Sequence, residues 1–257
     1  MMRAYPLGLI ATLAGMSCAI SAHAEQPANM LTGYVTLMSN YIGRGLAQSV
    51  GNPSAQAELD YNPSDGLYAG LDGTSINWID QVYPGDSVSL ELDGYAGYRK
   101  TDGDWTLKGG VLRLQFPGRY VPQTPPVARP DTTELFGFVG WRALSAKLNY
   151  SITNAFGTPD SRSSWYLDLS ATAPLNESWS LGAHIGRKQS RGHDPVTGLA
   201  NTRTSYTDYR LTVTRAFAEH TSIALAYTWT NANPALYTLN GYNVGGRHLA
   251  ITLEKDF

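Results

Sequence analysis

The sequence contains very little cysteine: Cys18 is the only one among its 257 residues. It lies within residues 1–24, which we interpret below as a cleaved export signal. The mature chain would then form neither a disulfide nor a cysteine-bound metal centre. Charged residues are also scarce, at 16% of the chain, and the formal net charge is only -2. Because this balance leaves no basic patch, we expect no nucleic-acid partner.

Long hydrophobic runs are absent beyond residue 24. No later window approaches the roughly 20 consecutive apolar residues that a membrane-spanning helix needs. If this chain crosses a bilayer, it therefore crosses it with strands.

Catalytic motifs are absent as well. The sequence contains no H-E-x-x-H, G-x-S-x-G, P-loop or G-x-G-x-x-G pattern. The four histidines beyond residue 24 are scattered, at His184, His193, His220 and His248. We therefore expect no enzyme, no cofactor and no metal site. The alternative is an outer-membrane lipase or protease, in which His184 or His248 works with a nearby serine.

The first 24 residues have the pattern of a secretory signal peptide. Arg3 precedes a mostly apolar run over residues 7–20, and Ala22-His23-Ala24 provides an A-x-A cleavage site. The pattern predicts export of the protein and cleavage after Ala24, which leaves one domain over residues 25–257.

The last twelve residues alternate largely between apolar and polar positions. Leu249, Ile251 and Leu253 share one phase with the terminal Phe257, while the residues between them are mainly polar or charged. A period of two predicts a strand with one apolar and one polar face. The terminal aromatic is similar to the end of bacterial outer-membrane barrels, so we expect this strand to close a barrel against the first strand. The alternative for this stretch alone is the last strand of a β-sandwich.

Alternating runs recur along the chain, and their connections alternate in length. The connections after even-numbered runs are short turns, whereas those after odd-numbered runs are mostly long and rich in Gly, Pro, Asn and Ser. An all-β, transmembrane up-and-down antiparallel barrel of about 12 strands predicts this sorting, and a sandwich does not. The phase of the fifth and sixth runs is ambiguous. The twelve runs span 31–41, 54–61, 67–74, 87–98, 105–116, 132–141, 146–153, 164–173, 178–188, 205–215, 221–230 and 246–257.

The first predicted hairpin, over residues 36–71, resembles a known family. It is similar to the opening of the TorF-like porins, also called the Gcw_chp family of exported proteobacterial proteins. The resemblance implies an outer-membrane barrel that acts as a porin, and it carries over no substrate and no catalytic residue. The matching residues are Ser39, Tyr41, Arg44-Gly45, Gln48-Ser49, Asn52-Pro53, Gln56, Asp60-Tyr61 and Gly66-Leu67-Tyr68-Ala69-Gly70, with Thr133-Glu134 further on.

Charged residues in the polar phase of the strands are the candidate pore lining. Acidic residues dominate the first third of the chain and basic residues come later, so an open lumen would carry a transverse field that orders water and biases small polar solutes. The alternative is that these charges form ion pairs that fill the interior. The candidates are Arg44 at the rim of the first strand, Glu58, Asp60, Asp72, Glu91, Asp93, Lys147, Asp168, Lys188 and Arg210.

The sequence therefore favours a porin in the outer membrane of a Gram-negative bacterium, in contact with outer-membrane lipid. It would pass small polar solutes or ions by passive diffusion. A plugged barrel with a structural or adhesive role is the other alternative. The sequence does not predict the solute, the gating or the oligomeric state.

Overall fold

Twelve antiparallel strands close into a barrel in the computed structural model, which describes residues 30–63, 66–82, 85–122, 128–218 and 220–257. The predicted signal peptide, 1–24, lies outside the described residues. The closed ring confirms the predicted fold. The strands are β1 Leu31–Met38, β2 Ser54–Tyr61, β3 Leu67–Ser75, β4 Leu90–Asp102, β5 Trp105–Gln115, β6 Thr132–Trp141, β7 Leu144–Ser151, β8 Trp165–Pro174, β9 Trp179–Gln189, β10 Tyr206–Phe217, β11 Thr221–Thr230 and β12 Arg247–Asp256.

The alternation of side chains decides which face of each strand points into the barrel. In β12, Leu249 and Ile251 are exposed on the outside, whereas His248, Ala250 and Glu254 are buried inside. Most of the other strands repeat this arrangement, so the outer surface is a continuous band of apolar side chains. A continuous apolar band on the outside of a barrel suits contact with lipid hydrocarbon.

The seam between β1 and β12 closes the ring. Gly33 and Phe257 exchange two backbone hydrogen bonds, of 3.1 and 3.0 Å. The pairing continues along both strands as far as Met38, which lies opposite Thr252. No strand edge of the barrel is left open, as a wall in lipid requires. The predicted pairing of the last strand with the first is confirmed.

The connections sort by length as predicted. Short turns follow β2, β4, β6, β8 and β10, whereas connections of 13 to 16 residues follow the odd-numbered strands. We call the connections after β1, β3, β5, β7, β9 and β11 loops 1 to 6; they span 39–53, 76–89, 116–131, 152–164, 190–205 and 231–246. Loop 2 contains a short helix, Trp78–Val82, and loop 6 contains another, Pro234–Tyr237. No helix in the described residues is both long and apolar enough to cross a membrane.

Aromatic pairs mark both ends of the outer wall. Trp105 and Trp141 lie 5.9 Å apart, between ring centroids, at the end that carries the short turns. Tyr209 and Trp229 stack at 5.2 Å near the long loops. Such aromatic girdles are typical of the two interfaces of a membrane barrel.

The structure fixes the ambiguous phases. Leu112 and Leu114 of β5 point inward and are buried, while Val111 is exposed on the outer wall. In β6, Phe136 and Phe138 point inward. The start of the fourth strand was predicted wrongly: β4 begins at Leu90, because Ser87 instead bridges to Arg119 of loop 3.

Candidate functional site

The candidate site is the inner wall of the barrel together with loop 1. Nine of the ten predicted residues lie on barrel strands in the inward phase, and the tenth, Arg44, lies in loop 1. The acidic residues of the first third lie on β2, β3 and β4, and the others lie on β7 to β10, on the opposite side of the ring. Lys147, Lys188 and Arg210 therefore lie across the ring from the acidic strands, together with Asp168. Whether these residues line a path for solutes stays a prediction.

The carboxylates on the acidic side of the barrel accept hydrogen bonds mostly from neutral side chains. The Tyr34 hydroxyl donates to Glu58 Oε2 at 3.0 Å, and the Tyr95 hydroxyl donates to Asp60 Oδ1 at 2.7 Å. Asp72 lies directly opposite Glu58 on the neighbouring strand. We call the five carboxylates on these strands the acidic wall: Glu58, Asp60, Asp72, Glu91 and Asp93.

The lysine ammonium groups on the basic side of the barrel lie over aromatic rings. Lys147 Nζ lies 5.3 Å from the ring centroid of Phe136, and Lys188 Nζ lies 5.6 Å from that of Tyr206. Cation–π contacts of this kind hold an ammonium group without neutralising it. Arg210 is buried, and its Nε has no hydrogen-bond partner among the described residues. This side of the barrel therefore carries Lys147, Lys188 and Arg210 together with the carboxylates of Asp168 and Asp208.

Loop 1 turns back into the barrel as a small hairpin. Ile42–Gly43 pairs with Leu46–Ala47, and Arg44 and Gly45 form the tip. Both tip residues have positive φ, at 48° and 79°, as a two-residue hairpin turn requires. Glycine suits the second position because the side chain of Asp208 occupies the space where a Cβ would lie. We call residues 42–47 the lumen hairpin.

Arg44 reaches across the barrel from the tip of this hairpin. Its Nη1 and Nη2 donate to the two carboxylate oxygens of Glu134 on β6, at 3.0 and 2.6 Å. The guanidinium also lies 5.2 Å from the ring centroid of Tyr166. Burial lowers the pKa of Arg44, but the Glu134 carboxylate more than offsets this, so its pKa is raised and the group stays charged. The prediction that Arg44 sits at the rim of its own strand is wrong, because a partner on nearly the opposite side of the ring holds it.

Glu134 is the functional residue that our candidate set missed. Its side chain is 1% exposed, and it also accepts from Asn149 at 2.7 Å and from Ser151 at 3.2 Å. This carboxylate is therefore fully satisfied and fixes the position of Arg44. The Thr133-Glu134 pair in the resemblance was the available signal, but the uncertain phase of the sixth run concealed that Glu134 faces inward.

Three neighbouring elements hold the lumen hairpin in place. The Tyr206 hydroxyl on β10 donates to the Arg44 carbonyl oxygen at 2.7 Å. The backbone N–H of Ala47 donates to Val244 of loop 6 at 2.8 Å, and that of Asn77 in loop 2 donates to the Gln48 carbonyl oxygen at 3.0 Å. The hairpin is thus tied to the wall and to loop 6, and Gln48, the residue that follows it, is tied to loop 2.

The base of loop 1 is braced by buried polar residues. Ser49 is fully buried, and the single proton of its hydroxyl is shared between two acceptors, Asn40 Oδ1 at 2.9 Å and the Asn52 carbonyl oxygen at 2.6 Å. Its oxygen also accepts from the Tyr41 N–H at 2.9 Å. The Asn52 side-chain Nδ2 in turn donates to the Ser49 carbonyl oxygen at 3.0 Å, so Ser49 and Asn52, two positions of the resemblance, hold each other in place.

Loops 1 and 2 together fill part of the outer half of the barrel. Ile79 of the loop 2 helix is fully buried, in one cluster with the wall residue Leu112 and with Phe116 of loop 3. Tyr41 of loop 1 belongs to the same cluster. The interior on this side is therefore dry and apolar rather than uniformly polar.

A second buried network surrounds His184 on β9. Its Nδ1 lies 3.0 Å from Asp168 and its Nε2 lies 2.8 Å from Asp208, so both ring nitrogens face carboxylates. Ser170 donates to Asp168 at 2.7 Å and lies 3.3 Å from the imidazole. A serine nucleophile needs a neutral imidazole as its base, and here both nitrogens are engaged with acids. The network suits a structural cross-link of the wall better than acyl transfer.

No set of three or more His, Cys, Asp or Glu side chains within the described ranges is arranged to hold a metal ion.

The chain matches the Gcw_chp family, described as a bacterial protein of unknown function, over residues 21–257. The chain belongs to this family. No curated protein matches this Gcw_chp member.

Solved barrels share its fold. An outer membrane channel from Pseudomonas putida F1 matches with a TM-score of 0.52 and 14% identity, over 91% of this chain and 100% of that one. The NanC porin matches with a TM-score of 0.51 and 11% identity, over 87% of this chain and 97% of that one. The KdgM porin matches with a TM-score of 0.50 and 9% identity, over 88% of this chain and 99% of that one. At these identities the likeness establishes a common barrel architecture.

Proposed function

We propose that this Gcw_chp protein is an outer-membrane channel through which small hydrophilic solutes diffuse passively. One observation carries the proposal: the closed twelve-strand ring has an apolar outer face and a charged inner face. A barrel with this distribution separates its interior from lipid, and charged or hydroxyl side chains inside can replace part of a solute's hydration. The porin resemblance of the first hairpin and the barrel neighbours agree with this function.

The ten charged residues predicted from the sequence form the lining in this proposal. Solutes would pass between the acidic wall on β2 to β4 and the basic residues Lys147, Lys188 and Arg210. The lumen hairpin narrows the path, because Arg44 spans it to reach Glu134. Permeation in this arrangement is limited to small solutes, as expected for a barrel narrower than the 16-stranded porins.

A conductance measurement tests the proposal. Purified protein in a planar bilayer should give discrete single-channel steps in KCl, and liposomes that contain it should swell in small sugars or amino acids. A matched preparation from cells that lack the protein controls for contaminating porins. A folded barrel that conducts neither ions nor small solutes would contradict the channel.

The packing of the hairpin favours one second candidate, a plugged barrel. Ala47 and Ser49 are fully buried, and loops 1 and 2 pack against each other inside the outer half. If this packing is permanent, the protein serves as a structural or adhesive barrel that acts through its outer loops. Conductance that appears only after the hairpin is displaced would identify this alternative.

The outer membrane is the location that we propose, reached through export with a signal peptide cleaved after Ala24. Outer-membrane lipid and small polar solutes or ions are then its partners, and we propose that its family is that of the TorF-like porins, which the first hairpin resembles. Membrane fractionation tests the location, and N-terminal sequencing of the mature protein tests the cleavage site. A mature chain that retains residues 1–24 would contradict the cleavage.

A further inference from the structure

The acidic wall places like charges side by side without cationic partners. In the strand register Asp72 lies opposite Glu58 on one side and opposite Asp93 on the other. Asp72 accepts hydrogen bonds from two neutral side chains, Gln56 at 2.7 Å and Thr74 at 2.9 Å. None of the ion pairs formed within the described residues includes a carboxylate of this wall. Adjacent like charges repel each other, so this wall attracts positive charge.

Two of these carboxylates are buried and incompletely bonded. Glu91 is 3% exposed and Asp93 is 7% exposed, and both lie in the inward phase of β4. Glu91 Oε2 and Asp93 Oδ1 have no hydrogen-bond partner among the described residues. A buried carboxylate oxygen without a donor is costly, and a cationic N–H donor is the group that relieves this cost most fully.

The protein's own nearby cation is already engaged elsewhere. Arg44 is close enough to Glu91 and Asp93 to attract them electrostatically. Its guanidinium, however, donates to both oxygens of Glu134 on β6. Glu91 and Asp93 therefore share a long-range attraction to Arg44 but receive no hydrogen bond from it.

Apolar and aromatic side chains surround the two carboxylates. Leu114 lies beside Asp93 in the strand register, and Leu112 lies beside Tyr95. Both leucines belong to the buried cluster that also contains Tyr41, Tyr68 and Met38. A bare metal ion requires several oxygen ligands at one point, and no such group is present in the part of the chain that the structure describes. Carboxylates beside apolar surface suit a cation with an organic body.

We propose that the acidic wall, centred on Glu91 and Asp93, is a subsite for small organic cations that carry an ammonium or guanidinium group. The inference rests on the proposed channel function and names the solute class that the channel prefers. The cationic group donates to the unbonded carboxylate oxygens, and its apolar body takes the place of the loop side chains that cover Leu112, Leu114 and Tyr68. The subsite makes the channel selective for cations.

The wild-type channel provides the first test. Its zero-current potential in a KCl gradient should have the sign of cation preference. Phenethylammonium should block the KCl current at concentrations about tenfold or more below those of phenethyl alcohol, because the ammonium forms charge-assisted hydrogen bonds to the carboxylates whereas the alcohol hydroxyl is a neutral donor. A conducting channel that prefers anions, or that both compounds block equally, would overturn the subsite. Absence of any conductance would instead contradict the proposed channel function, so failure of the subsite and failure of the channel are distinguishable.

A charge-removing pair of substitutions gives the second test. Glu91→Gln with Asp93→Asn keeps the side-chain shapes, and we expect block by phenethylammonium to weaken about tenfold and cation preference to fall. Glu177→Gln removes one charge from the exposed turn between β8 and β9 and should leave the amine block unchanged. Gel mobility with and without heating reports whether each variant is folded. Unchanged block in a folded double variant would refute the assignment to these residues, and if the double variant does not fold the wild-type measurements decide.

Discussion

Arg44 and Glu134, which are 90 positions apart in the sequence, share two hydrogen bonds inside the barrel. The pair joins the tip of loop 1 to β6, on nearly the opposite side of the ring. A bidentate guanidinium–carboxylate contact fixes orientation as well as distance. The pair therefore determines where loop 1 lies across the lumen.

Removal of this contact should loosen the barrel and widen the channel. Arg44→Ala leaves the Glu134 carboxylate buried without a cation, and we expect a loss of about 3 kcal/mol in the free energy of unfolding. Single-channel conductance should increase, because the hairpin loses its anchor on β6. Urea unfolding followed by tryptophan fluorescence and single-channel recording measure the two effects.

The exposed ion pair between Arg142 and Asp104 provides the matched control. This pair also joins a guanidinium to a carboxylate, with Arg142 Nε 2.8 Å from Asp104 Oδ2, but both side chains are exposed to solvent. Arg142→Ala should therefore change stability by less than about 1 kcal/mol and leave conductance unaltered. If Arg44→Ala behaves in the same way as Arg142→Ala, the proposed role of Arg44 is wrong.

Gly45→Ala should also displace the hairpin. The added Cβ collides with the side chain of Asp208, and the residue has a φ of +79°. Gly198→Ala in loop 5 separates the two effects, because Gly198 also has positive φ but its Cβ would meet nothing within 4 Å. We expect the control to lose about 1 kcal/mol from backbone strain alone. Gly45→Ala should lose more and change conductance; equal losses with unchanged conductance would indicate that the tip has room to shift.

His184 should contribute strongly to stability. His184→Ala leaves Asp168 and Asp208 facing each other in the interior without the imidazole between them, and we expect a loss of about 3–5 kcal/mol. His193 is an exposed loop 5 residue, so His193→Ala should stay within about 0.5 kcal/mol of wild type. Comparable urea midpoints for the two variants would show that the His184 network adds nothing.

Ser170 should not behave as a nucleophile. It donates its hydrogen bond to Asp168, and the adjacent imidazole has carboxylates at both nitrogens. A fluorophosphonate probe should therefore leave the folded protein unlabelled, while a serine hydrolase in the same tube is labelled. Labelling that disappears in Ser170→Ala would favour the enzyme alternative.

A charged side chain introduced on the outer wall should destabilise the barrel. Ile251 is 54% exposed on the outer face of β12, and Ile251→Arg should destabilise the barrel in lipid by about 2–4 kcal/mol. Val196 is even more exposed, at 74%, but it lies in loop 5. Val196→Arg should therefore be nearly neutral. Equal unfolding free energies of the two variants in liposomes would contradict a lipid-facing wall.

The barrel could be predicted from the sequence because its signals are local. Alternation within β12 and the sorting of connections by length both follow from residues close together in the chain. The inward phase of the nine charged wall residues follows from the same alternation. These features need no knowledge of which side chains meet across the lumen.

The position of loop 1 could not be predicted in this way. The contact between Arg44 and Glu134 depends on chain reversal and on four intervening strands, which no local pattern encodes. The entry of loops 1 and 2 also explains the ambiguous phases. Leu112 and Phe136 face inward because the loops make that part of the interior dry, so the rule that apolar residues face lipid fails there.

The backbone hydrogen bond between Ala47 and Val244 connects an outer loop to the hairpin inside the barrel. Val244 belongs to loop 6, one of the long connections at the barrel mouth, and Ala47 lies three residues from Arg44. A displacement of loop 6 therefore acts directly on the segment that carries Arg44. The position of Arg44 in the lumen is therefore coupled mechanically to a surface loop.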